Sequence, residues 1–276
     1  QYILIPMDVD SQKNHLKAYG ITYWTLKKEL KVKWLLNYKG GSFLLPDTEA
    51  IQRECQIRGI SFEVISNAKA ESILEEIASP SQNMEAIVLE KAPKIAVYTP
   101  NGKQPWDDAV TMVLKYAEIP YETVYDEEVL NDGLLLFDWL HLHHEDFTGQ
   151  FGKFYAQYRA ASWYIQEKKE AEKLAHDLGY NKVSEEKLGV ALKIRDYVIG
   201  GGFMFAMCSA TDSFDIALSA EGADTSPPLP PPPGPPAPYP HPPAPRTPLA
   251  PPPHILAPTP HPHAPPPPAL PTNRTI

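Results

Sequence analysis

Gly200-Gly201-Gly202-Phe203-Met204-Phe205-Ala206-Met207-Cys208-Ser209-Ala210-Thr211-Asp212-Ser213 is the stretch on which the reading of this chain turns. A short apolar run, Phe203 to Met207, stops at a cysteine. It passes at once into a helical pattern whose first turn carries Thr211, Asp212 and Ser213. That is the layout of a nucleophile elbow. A nucleophile on so tight a strand-to-helix turn needs small residues two positions before and after it, because the two backbones close in there. Ala206 and Ala210 occupy those places. The N–H groups and positive dipole end of the following helix can lower a thiol pKa and hold an oxyanion. The plainer reading is that Cys208 is a small hydrophobe ending a buried strand, since free cysteine is among the most buried residue types.

Working outward, the chain alternates short apolar runs with helical periodicity. Tyr2 to Met7 reads as a buried strand, and Leu16, Tyr19, Tyr23, Leu26 and Leu30 follow at helical spacing. A second strand, Val32 to Leu36, runs into Gly40-Gly41, which suits either an ordinary loop or a tight turn with close backbone approach. Asp47 to Arg58, capped by Asp47 or Thr48 and closed by Gly59, reads as a helix. Phe62 to Ile65 then reads as a strand, Ala70 to Ala78 as a helix stopped by Pro80, and Ala86 to Leu89 as a short strand in a connector. Strand alternating with helix predicts a parallel, helix-covered sheet.

A second series opens at Lys94 to Tyr98. It continues with a helix from Pro105 to Glu118, a strand at Tyr121 to Tyr125 and a buried strand from Leu134 to His143. Helices at Ile165 to Leu178 and Ser184 to Ile199 lead to the elbow, and Asp212 to Ala220 forms the last helix. The expected fold is therefore α/β, a largely parallel sheet with helices on both faces. It divides into an N-terminal α/β half, 1–92, and a half bearing the cysteine elbow, 93–224.

Beyond that lies a different composition. From Ser226 onward stand 25 of the 32 prolines, no acidic residue, and only Arg246 and Arg274 as full charges. Such a segment buries too little apolar surface to offset its ordering entropy, so 225–276 is expected to be disordered or polyproline II. The Pro, His, Ala, Thr, Leu and Arg that dominate it are all read from C-rich codons, so a frame change or fusion just after Asp224 is one origin. A genuine spacer that binds polyproline-recognising partners is the other. The chain before the tail holds 23 Lys plus Arg against 34 Asp plus Glu, a net charge of −11. This argues against nucleic acid or an anionic membrane surface as partner. No apolar run reaches the roughly 18 residues a membrane span needs. The start at Gln1, directly before a strand, fits removal of a leader and export to the periplasm; without it the cytoplasm is the expectation.

The polar cluster His143-His144-Glu145-Asp146 falls at the end of the Leu134 to His143 run, where open α/β sheets bind ligands. On a strand, His141 and His143 share one face with Trp139, and Leu140 and Leu142 the other. If this strand neighbours the one before Cys208, His144 can act as base for the thiol and Glu145 can orient it. His143, Asp146, Gly202, Ser209 and Asp212 then form the expected substrate-binding set. Two histidines and a carboxylate could instead hold a metal, or the cluster could simply satisfy loop backbone groups. No cofactor is expected: no GxGxxG follows a strand, and no GxxxxGK[ST], HExxH or GxSxG occurs.

The runs ILIPMD (3–8), NHLKAYGITYW (14–24), WLLNYKGGSF (34–43), PWDDAV (105–110), WLHLHHEDFTGQFGKF (139–154) and GGGFMFAMCSATDSFDIAL (200–218) resemble bacterial proteins commonly labelled asparagine synthetase B. At fold level the second half is similar to class I glutamine amidotransferases, which are flavodoxin-like. The resemblance implies a Cys-His-Glu triad hydrolysing an amide such as that of glutamine, with Cys208 as nucleophile. In that group the His and acid follow the cysteine helix, where this chain has its proline-rich segment. The second expectation is a non-catalytic domain of an exported protein that binds a small molecule in the same cleft.

Overall fold

The computed structural model describes residues 1–100, 109–142 and 155–222, and residues 1–226 form one compact unit. Two sheets lie within it. The first is built from β1 (Tyr2–Ile5), β2 (Val32–Leu36), β3 (Ser42–Pro46), β4 (Glu63–Ile65) and β5 (Glu85–Leu89), in the order β4-β1-β3-β2-β5. Every neighbouring pair in it is antiparallel. The largely parallel sheet expected from the sequence is thus corrected for this half.

The physical reason lies in the helices. α1 (His15–Lys27) and α2 (Glu49–Ile57) cover one face, where Ile3, Ile5, Phe43 and Leu45 pack with Ile21, Ile51 and Cys55. α3 (Asn67–Ile77) covers the other, where Leu4, Leu35 and Leu44 meet Ile73 and Ile77. A strand buried on both faces loses its polar alternation whatever its direction, so β1 and β3 read like strands of a parallel sheet. What sets the direction is β3, which the sequence reading missed. The Gly40-Gly41 pair is a hairpin turn, and Ser42–Pro46 returns between β1 and β2. β1-α1-β2-β3-α2-β4 is then a split β-α-β arrangement. Gly40, at φ +77°, has no room for a Cβ, which would lie 2.5 Å from the Met7 carbonyl oxygen. Gly40 serves a close backbone approach just beyond β1, and Gly41 supplies another positive φ of the turn.

The second sheet is wholly parallel and matches the expectation. β6 (Ile95–Tyr98), β7 (Glu122–Val124), β8 (Trp139–Leu142) and β9 (Phe203–Ala206) run in the order β7-β6-β8-β9. Each crossover contains helix: α4 (Ala109–Ala117) after β6, α5 (Asp126–Leu130) after β7, and α6 (Tyr155–Tyr158), α7 (Ser162–Asp177) and α8 (Val183–Ile199) between β8 and β9. Ala96, Tyr98, Leu140 and Leu142 pack against Val190, Ala191 and Ile194 of α8 and Phe214 of α9 (Ser209–Ser219). The strand expected from Leu134 is shorter: Gly133–Leu136 is a 3-10 turn and only Trp139–Leu142 enters the sheet.

The two sheets are joined through α1 and α4. Gly20 of α1 sits so close to Ala117 that an added Cβ would lie 1.9 Å from the Ala117 carbonyl oxygen. Around this contact Lys17 and Arg58 both pair with Glu118.

Candidate active site

Winding of the second sheet reverses between β6 and β8, and their ends, Tyr98 and Leu142, are register partners. In open parallel sheets ligands bind at the carboxyl ends beside such a reversal. β9 lies next to β8, with Leu142 opposite Ala206. The neighbour relation required for a His–Cys pair therefore holds. His143, His144, Glu145 and Asp146, the residues that follow Leu142, lie outside the described residues, as does any metal site built from them.

Cys208 caps α9 directly beyond β9, and its backbone stands at φ +53°, ψ −137°. A side chain with a Cβ pays roughly 1–3 kcal/mol for such a conformation. It is the strained strand-to-helix turn expected of an elbow. Ala210 is fully buried beneath it, as the small-residue requirement demands. The thiol is exposed, which overturns the reading of Cys208 as a core hydrophobe. Its opposite is Cys55, fully buried on α2, where burial pushes the thiol up to about 12.

The rest of the expected set divides. Ser209 and Asp212 lie in the first turn of α9, next to Cys208. The Thr211 hydroxyl turns back to the Cys208 carbonyl at 2.6 Å, and Ser213 Oγ donates to the Ser209 carbonyl at 2.9 Å. Gly202 is not brought to this place. It precedes β9 at the opposite end of the sheet, about 13 Å of strand away from Ala206. A Cβ there would fall 2.2 Å from the Tyr197 ring, so its smallness serves packing. With Gly200, Gly201, Asp138 and Asp196 it lines a cleft of about 400 Å³ at the amino ends of the strands.

His141, on the face away from α8, is fully buried. Its ring stacks on Phe205, and its Nδ1 lies 3.0 Å from the Phe205 carbonyl. A carbonyl only accepts, so Nδ1 carries the proton.

Sequence reasoning missed a second group at the same end of the sheet. Tyr98 closes β6, Tyr125 and Asp126 follow β7, and Glu186 and Lys187 lie in the first turns of α8. Asp126, Glu186 and Lys187 are all buried. Lys187 Nζ donates to Asp126 Oδ2 at 2.5 Å and to the hydroxyls of Tyr125 and Tyr98 at 3.1 and 3.2 Å. The Tyr98 hydroxyl donates to Asp126 Oδ1. Glu186 Oε2 is 4.0 Å from the ammonium, and Oε1 is buried without a partner. The signal was present: Val183, Val190, Ala191 and Ile194 form the apolar stripe of α8, and Lys187 falls on it at helical spacing.

Comparison with protein-family models, curated proteins and solved structures gives no match for this chain.

Proposed function

We propose that this chain is an amidotransferase-like protein in which the Cys208 thiolate attacks a carboxamide carbon, that of glutamine being the first candidate. The observation that carries the reading is the backbone of Cys208: an exposed thiol held at positive φ between a parallel strand and a helix N-terminus. Nothing in the packing of a core residue calls for that strain, whereas a nucleophile presented above a sheet does. The strand order β7-β6-β8-β9 supports the flavodoxin-like class, whose order runs second-first-third-fourth.

The chemistry follows from the surroundings. Sulfur bonds to the carbonyl carbon, and the oxygen takes the negative charge toward the N–H groups opening α9. A proton passes to the departing amine, the C–N bond breaks, and a thioester remains for water or another acceptor. His144, with Glu145 to orient it, is assigned the proton transfers; what supports this is that Leu142, the last described residue before them, stands opposite Ala206, two residues before the elbow cysteine.

Alkylation by iodoacetamide against pH tests the thiol. Cys55 stays silent in the folded protein because it is buried and its thiol stands near 12. Cys208 should react many-fold faster than free cysteine at neutral pH, and His144→Ala should remove that advantage. Release of ammonia from glutamine, abolished in Cys208→Ala, should accompany it. A thiol of ordinary reactivity that releases no ammonia would leave the cleft as a binding site without turnover.

A further inference from the structure

The buried group formed by Tyr98, Tyr125, Asp126, Glu186 and Lys187 stands apart from the proposed thiol chemistry, and its charges do not balance. Two carboxyls face one ammonium out of water. All three ammonium donors are engaged, by Asp126, Tyr98 and Tyr125. Asp126 accepts from both Lys187 and Tyr98, so it is the ionised partner. Glu186 is left with one oxygen buried and unpaired. Beside the ionised Asp126, with its nearest cation already engaged, a carboxylate so placed takes up a proton instead of keeping its charge.

We propose that this group is a proton-held latch: with Glu186 protonated it is neutral and fastens the start of α8 to α5 and the ends of β6 and β7, and loss of that proton loosens the fastening. Every titratable group around Glu186 bears on the balance. Burial pushes the Glu186 carboxyl up to about 8, with Lys187 opposing the rise and Asp126 adding to it. Burial works against the Lys187 ammonium, but Tyr125 and Asp126 hold it above the ordinary lysine range. Burial and then Asp126 push the Tyr98 phenol well above its usual value, so it stays a donor. Lys182 and Glu185 pair on the exposed side of the same turn and do not enter.

The sign follows by linkage. Glu186 holds its proton more tightly closed than open, so opening releases a proton between the ordinary carboxyl value of 4.5 and about 8. The latch is strongest below that window, weakens about tenfold in its closing equilibrium per pH unit within it, and levels off above. Hydrogen–deuterium exchange on the full chain reads this at matched pH. The protection of amides in Asp126–Leu130 and the first turns of Val183–Ile199, taken as the ratio of wild type to Glu186→Gln, should fall about tenfold per unit from pH 5 to 8. Asp126→Asn balances the charges without the extra proton and should give the same slope. A ratio constant with pH overturns the proposal. If neither variant folds, the urea midpoint of the wild type decides: it falls across that range, and a flat profile overturns the latch.

Discussion

The two halves of this protein are built from nearly the same pieces and use them differently. Each starts with a strand that ends inside its sheet, each buries apolar strands under helices, and each has a glycine-rich turn near a strand end. In the first half the strand ends close on one another: Gly40 lies against Met7 and Asp8, backbone to backbone. In the second, the carboxyl ends hold an exposed, strained cysteine and a buried five-residue polar group. The first half closes its strand ends with backbone, and the second leaves polar side chains at them.

Lys187→Met breaks the second half most severely. It leaves two buried carboxyls without their cation, which should cost about 3–5 kcal/mol in urea unfolding. The same change at exposed Lys182 should cost next to nothing. Gly20→Leu strikes where the halves meet. Its side chain has no space against Ala117, and the overpacking should cost about 1–3 kcal/mol and separate one unfolding transition into two. The smallest effect has the opposite sign. Cys208→Gly relieves the positive φ and should stabilise by about 1 kcal/mol, whereas Cys208→Ala, which keeps its Cβ, should not. Equal midpoints for the two variants would remove the strain on which the proposed nucleophile rests.

Much of this was legible beforehand. Runs such as ILI and WLHL read as buried strands and are so, FMFA is a strand that leaves Phe203 and Phe205 exposed, and Thr48, one of the two expected caps, caps α2. The elbow could be read because its demands are local: a strand, a small residue, a nucleophile and a helix in succession. Strand direction was not legible, because burial on both faces erases the alternation that distinguishes the two sheet types. Ser42–Pro46 was passed over because Gly40-Gly41 reads equally well as the end of a strand. The misplacement of Gly202 has a related cause. Nearness in sequence to Cys208 suggested nearness in space, but a four-residue strand separates them. The Lys187 group draws on β6, β7 and α8, and only the off-pattern lysine on an apolar stripe hinted at it.

The order of strands also fixes an order in time. β1 is made first yet pairs with β3 and β4, both of which come later. At about 5–20 residues per second, roughly 2–8 s pass during synthesis before Ser42–Pro46 exists to cover one of its edges. β6 repeats the pattern, lying between β7 and β8. In each half the ribosome makes an inner strand first, and the apolar surface of β1 and then of β6 must stay uncovered until the chain that shields it has been made.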